Sequence, residues 1–197
     1  MEAEGIYRVS GAMKFVEQLI KLYDTGQDPD LNKFDPYVVS GIIKRFLTML
    51  PAPLMTFELH DDFVKAQRNK DKAARRNEIL QLLAKLPKLN RDIFVFVLRH
   101  LRKVIDFKAE NKMGPSNLAI VFGPTLFRSR DNDAYRMLEE TGHLSGLVQT
   151  FLNDFTSYFP EDGSPVSINN EAPQQPSAPT APVDPNAGHA KFLKKHK

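Results

Sequence analysis

Three segments of this chain hold polar residues in settings where they could do chemistry. Residues 4–11 read Glu-Gly-Ile-Tyr-Arg-Val-Ser-Gly. Two glycines flank Arg8, and Ser10 is an N-cap candidate for a following helix, so Arg8 falls on a tight loop that projects its side chain. A guanidinium is always charged and carries planar donors, which suits it to neutralise charge developing on a phosphate. Taken alone, such a loop reads as an exposed arginine ahead of a helix. Lys44 lies on a helix whose apolar face gathers Val39, Ile43, Phe46 and Leu50. Steps of about 100° per residue put Lys44 and Thr48 on the opposite, water-facing side, where the lysine is available to a partner or simply solvated. Residues 111–126 read Asn-Lys-Met-Gly-Pro-Ser-Asn-Leu-Ala-Ile-Val-Phe-Gly-Pro-Thr-Leu. They predict a short apolar helix bracketed by Gly-Pro pairs, with Asn117 its one polar side chain past the start. Burying an unpaired amide costs about 1–3 kcal/mol, so Asn117 needs hydrogen-bond partners, and a local cap or turn bond would serve.

Composition limits what these segments can serve. Across 197 residues, 42% hydrophobic and 26% charged side chains are the balance of one soluble globular domain, with length left for a tail. The absence of cysteine excludes disulfides, thiolate metal sites and cysteine nucleophiles. His60, His100 and His143 are scattered without ligand spacing, so they read as ordinary surface or core residues, and no metal site is expected. There is no Walker loop either. No apolar run approaches the roughly 20 residues needed to span a bilayer, and the first residues are nothing like a signal peptide, so a soluble cytoplasmic protein is expected. The net charge of +3 is a mild basic excess that does not choose among acidic protein, anionic lipid and nucleic acid. Its clusters, Lys65, Arg68, Lys70, Lys72, Arg75 and Arg76, then Arg99, Arg102 and Lys103, read as solvated helix faces. Without interleaved exposed aromatics or a recognition motif, no nucleic-acid partner is expected.

The elements that must position the three segments are helical almost throughout. A first helix follows Ser10 or Gly11, presents Val16, Leu19, Ile20 and Tyr23, and stops near Gly26. Asp35 caps the next, with Pro36 at its first position; Val39, Ile42, Ile43, Phe46 and Leu50 share one face, and Pro51 and Pro53 end it. Ile79, Leu82, Leu83 and Leu86 mark another before Pro87, and Asn90 is read as the cap of a longer one bearing Ile93, Val97, Leu101, Val104 and Ile105. A short helix is expected over 115–122, and a last one carries Leu147, Val148, Phe151, Leu152 and Phe155. No period-2 strand is present, so the expectation is a single all-α, multi-helix domain over residues 1–159. From residue 160 to 197 Pro, Gln, Ser, Ala and Asn dominate. Such a tail cannot offset its ordering entropy and is expected to be disordered. It ends in a basic stretch, residues 191–197, which reads as a solvated end or a weak contact to an anionic membrane that would recruit the protein there.

Together, and in this order, the three segments resemble the signature blocks of the Rho-family GTPase-activating (RhoGAP) domain. The blocks are residues 4–11, the Lys44 helix running into Leu-Pro-Ala-Pro-Leu at 50–54, and residues 117–126. The likeness covers about residues 4–159 and implies a RhoGAP-like helical domain. Its implied role is to stimulate GTP hydrolysis by a Rho, Rac or Cdc42-type small GTPase. Such a protein is a regulator that completes its partner's active site and is not an enzyme by itself; GTP and Mg²⁺ belong to the partner, so no cofactor is expected. Arg8 resembles the arginine finger supplied in trans, a device worth about 10³–10⁵ in rate. Lys44 resembles the lysine that supports the finger loop and contacts the GTPase switch region. Asn117 resembles the asparagine that bonds the loop or switch backbone, and Pro124 and Thr125 would lie close by at the contact surface.

Two departures from the family pattern stand out. One turn after the lysine the family often carries an arginine, and here Thr48 stands there. Family domains also begin some tens of residues before the arginine loop, whereas this sequence starts almost at it, which implies a domain short of its N-terminal helix. A GTPase-binding scaffold without catalytic effect is therefore the alternative.

Overall fold

Two of the helix starts, those at Pro36 and Lys72, follow from capping carboxylates, whereas the first helix begins at Met13 with Ala12, not Ser10, at its cap. The structure, a computed structural model, describes residues 1–130 and 134–160. Apart from residue 160, the tail and its basic end at 191–197 lie outside the described residues. The Asp35 carboxylate accepts from the Tyr37 N–H at 2.7 Å and Pro36 occupies the first turn, so α2 (Pro36–Met49) begins where the sequence predicts. Before it, α1 runs over Met13–Asp24. Asp71 accepts from both Ala73 and Ala74 N–H groups to start α4 (Lys72–Lys85), which follows α3 (His60–Arg68). The helix α3 has no counterpart in the apolar pattern, because its nine residues hold only three apolar side chains, Phe63, Val64 and Ala66, all of them buried.

Helix α5 (Lys88–Ile105) starts two residues ahead of Asn90. Asn90 is therefore not the cap; it sits in the first turn and donates to the Leu54 carbonyl at 3.0 Å, tying α5 to the segment after α2. A short α6 (Lys108–Asn111) leads to α7 (Pro115–Leu126), which runs through Pro124 and is longer than expected. The bond that Pro124 cannot make would have ended on the Ile120 carbonyl. Both residues are exposed, so water can serve that carbonyl and the helix continues. Helix α8 (Ala134–Asn153) extends well ahead of Leu147, and Phe155 opens a separate short α9 (Phe155–Tyr158). Among the described residues there is no strand, so the chain is all-α as its spacing implies.

The core forms where α7 packs along α8 and both meet α5. Phe94, Phe151 and Phe159 meet there, Phe94 edge-on to the other two, while Phe63 stands edge-on to Phe127 beside α3. Helix α2 is turned differently from the apolar-face reading. Its buried side chains are Val38, Ser40 and Leu47, while Phe46 is 52% exposed. Helix α1 packs against the side bearing Gly41, close to Val16, and the N-terminal loop covers the side bearing Lys44. Phe46 then faces an open groove of about 510 Å³ shared with Ile20, Tyr23, Ile42, Phe96 and His100.

Two residues bind the N-terminal loop to this frame. At Gly11 a Cβ would lie 2.4 Å from the Val38 nitrogen, so only glycine lets the chain run directly over the backbone of α2. Asn111 is wholly buried, and its amide donates to the Met1 and Val104 carbonyls while its side-chain oxygen accepts from the Met113 N–H. Its own carbonyl accepts from the Gly5 N–H at 2.7 Å. Gly11→Ala should therefore lower unfolding free energy by about 3 kcal/mol, as backbone cannot yield the way a side chain does. Asn111→Ala leaves buried donor and acceptor groups unpaired and should also cost about 3 kcal/mol, both read from urea unfolding midpoints.

Candidate functional site

Residues 3–9 form a compact turn in which the Arg8 and Val9 N–H groups both donate to the Gly5 carbonyl at 2.8 Å. Gly5 and Tyr7 both take left-handed backbone conformations, with φ of 71° and 70°. At Tyr7, which carries a Cβ, this costs about 1–2 kcal/mol and persists only because the surroundings over-determine it. Those surroundings are explicit. The Tyr37 hydroxyl donates to the Glu4 carbonyl at 2.8 Å, and the Lys44 ammonium donates to the Tyr7 carbonyl at 2.6 Å. The Tyr7 ring is buried, stands edge-on to Phe122, and bonds through its hydroxyl to Nε2 of His100.

Arg8 projects from this turn into solvent. Among the described residues no carboxylate or carbonyl engages its guanidinium. The side chain passes over Gly5, where a Cβ would lie 3.2 Å from an Arg8 terminal nitrogen and 3.0 Å from Val9 Cγ2. Glycine at position 5 is thus favoured by its backbone angle, and a side chain there would also push on the Arg8 and Val9 side chains.

Lys44 does not face water as the helical-wheel reading expects. It is half-buried and turned onto the arginine loop, because α1 and the loop, and not the groove, cover that side of α2. Burial lowers its pKa. Thr48, one turn on, is exposed, and its hydroxyl donates to the Lys44 carbonyl. Arg128 donates to the carbonyls of Thr48, Leu50 and Pro51, at the end of α2 and just beyond it.

Asn117 is half-buried and donates to the Lys112 carbonyl at 2.8 Å. That is the local turn bond. No described hydrogen bond joins Asn117 to residues 4–11; it bonds Lys112, the residue after Asn111, whose carbonyl holds Gly5. Pro124 is exposed and lines a small cleft with His60, Phe127 and Glu140, and Thr125 is half-exposed one residue on. The structure thus gathers Arg8 and Lys44 at one place and leaves Asn117, Pro124 and Thr125 along the neighbouring α7.

Sequence reasoning missed Tyr7, Asn111 and His100 as parts of this site. A tyrosine directly before the arginine, two residues after a glycine, is the available signal for the first. The other two offer none locally, since the Tyr7–His100 bond spans 93 residues. His60 is a core residue whose Nε2 meets Glu140 at 2.8 Å, and with Asp61 these groups bring ligand atoms within 4.8 Å of one another. The Arg136 guanidinium bridges both carboxylates, donating to Glu140 at 2.9 Å and to Asp61, so a cation already stands there.

Known proteins are similar to this chain in sequence and in fold. The sequence profile described as "RhoGAP domain" matches residues 1–131. The chain is 33% identical to Rho GTPase-activating protein gacJJ of Dictyostelium discoideum, over 84% of this chain and 20% of that protein. It is 36% identical to gacN of the same organism, over 79% of this chain and 26% of that protein. The chain therefore spans about a quarter or less of the length of these relatives. The crystal structure of human Rho GTPase activating protein 15 superposes with a TM-score of 0.73 at 30% identity, covering 79% of this chain and 75% of that one. The BH domain from GRAF, the GTPase regulator associated with focal adhesion kinase, gives 0.70 at 28% identity, with 79% and 83% covered. With the profile spanning most of the helical domain and the solved relatives sharing its fold, this chain belongs to the RhoGAP domain family.

Proposed function

We propose that this domain binds a Rho-type small GTPase and accelerates its GTP hydrolysis by inserting Arg8 into the partner's nucleotide site. The observation that carries the reading is the contrast within one turn: backbone bonded on every side, and at its tip a guanidinium that is exposed and unpaired among the described residues. An arginine that stabilised this fold would have an internal partner; this one is held ready for an external anion. Charge spreads over the equatorial oxygens of the phosphoryl group during transfer, and a planar fork of donors placed against them lowers the barrier without covalent chemistry. Because the loop is already ordered, little ordering remains to be done when the complex forms. The names of the relatives, all Rho GTPase-activating proteins, support the same reading.

In this mechanism Lys44 spends one of its three donors on the Tyr7 carbonyl and keeps the others for the GTPase switch backbone. Asn117, Pro124 and Thr125 extend the contact along α7. GTP and Mg²⁺ arrive with the partner. Thr48 offers a hydroxyl where the family often offers a guanidinium, so it tunes which GTPase is preferred and leaves the finger chemistry in place.

The test is GTP hydrolysis by a panel of Rho-type GTPases with the wild-type chain and with Arg8→Ala. Stimulation should fall by about 10³-fold or more in the variant while binding to the GTP-loaded partner persists within a few-fold. Arg8→Lys should recover little, since a point charge does not reproduce the fork. Binding without stimulation by the wild-type chain would instead establish the scaffold reading.

A further inference from the structure

We infer that His100 and Tyr7 form a positioning pair for the arginine finger: His100, on α5, acts through the Tyr7 hydroxyl to set the direction in which Arg8 leaves the loop. The inference rests on the finger reading of Arg8 and extends it to two residues that never touch the nucleotide.

Tyr7 immediately precedes Arg8 and is only 3% exposed. Its carbonyl is held by Lys44, and its hydroxyl by His100 at the far end of the ring. The ring packs edge-on to His100, with centroids 5.8 Å apart, and to Phe122 at 5.1 Å. A residue anchored at both ends, in a backbone conformation that a Cβ disfavours, cannot rotate without breaking a bond. The Cα–Cβ direction of the next residue is thereby set as well.

Packing alone does not explain a histidine at position 100. The groove it lines on one side is walled by Ile20, Ile42, Phe46, Phe96 and Val97, where an apolar residue would serve. On its other side it lines a cleft of about 460 Å³ with Ile6 and Tyr7, so its ring forms the wall between groove and loop. What an apolar side chain could not supply there is a partner for a buried phenol. Burial raises the Tyr7 pKa, which keeps the hydroxyl protonated. Burial first, then the charges of Lys103 and the Met1 amino group, lower that of His100. The neutral imidazole meets the hydroxyl through Nε2, which accepts from it in the tautomer whose proton sits on Nδ1. Removing either partner frees the ring end of Tyr7 while leaving Arg8, Lys44 and the exposed contact surface chemically unchanged.

The experiment compares Tyr7→Phe, His100→Phe, the double variant and His100→Gln in the full chain, assayed on the GTPase that the wild type stimulates most. Tyr7→Phe and His100→Phe should each lower the maximal stimulated rate about tenfold, with affinity for the GTP-loaded partner unchanged, as expected when a reacting group is displaced by a fraction of an ångström. The double variant should lose no more than either single one, because both remove the same bond. His100→Gln, whose amide oxygen can accept from the hydroxyl, should restore most of the rate. Full stimulation by both single variants, or independent losses that multiply, would overturn the positioning role even with Arg8→Ala inactive. If Arg8→Ala is itself fully active, the finger reading fails first, and the two failures are thereby distinguished. A measurement that needs no variant is ¹⁵N NMR of the imidazoles: a hydrogen-bonded Nε2 at His100 is expected, and an Nε2 with no hydrogen bond at neutral pH would contradict the pair.

Discussion

The bond from the Lys44 ammonium to the Tyr7 carbonyl is the constraint around which the site is organised. It joins α2 to a turn whose tyrosine sits in the left-handed region, where an L-residue is disfavoured by about 1–2 kcal/mol. Several contacts converge to offset that strain: Asn111 on the Gly5 N–H, Tyr37 on the Glu4 carbonyl, His100 on the tyrosine hydroxyl and Phe122 against its ring. The outcome is a turn whose main chain and tyrosine are committed inward while the adjoining arginine is not.

That commitment shapes the helices beneath. For Lys44 to reach the loop, α2 must present its Ser40–Lys44 side to the N-terminal segment and its Gly41 side to α1. Phe46 and Met49 are then carried outward, to the groove they share with Phe96, which is 73% exposed. The polar contact at the loop and the open apolar groove are two consequences of one rotation. Helix α5 serves both sides of this arrangement: Phe94, Leu98 and Leu101 enter the core while His100 stands between groove and loop.

Across the molecule a second polar network ties α3 to α8. His60 and Glu140 are buried and bonded, and Arg136 reaches from the same helix as Glu140 to Asp61. Burial by itself would raise the Glu140 pKa; the hydrogen bonds from His60 and Arg136 outweigh it and hold the carboxyl below its ordinary range. No described bond joins this network to the arginine loop.

Local sequence alone determined the helical character, the start at Asp35 that a short polar cap encodes, the tight turn around Arg8 and the ordered blocks that mark the family. These depend on neighbours within a few residues, which the chain order states directly. Tertiary structure alone decided the rest: that Lys44 turns inward, that Asn90 reaches Leu54 instead of capping α5, that Asn117 closes a local turn while Asn111 braces the loop, and that Tyr7 finds His100. Periodicity says which residues share a helix face, but not which element will cover it. A side chain with several hydrogen-bonding choices takes the partner that packing brings within reach, and that partner can stand 37 or 93 residues away.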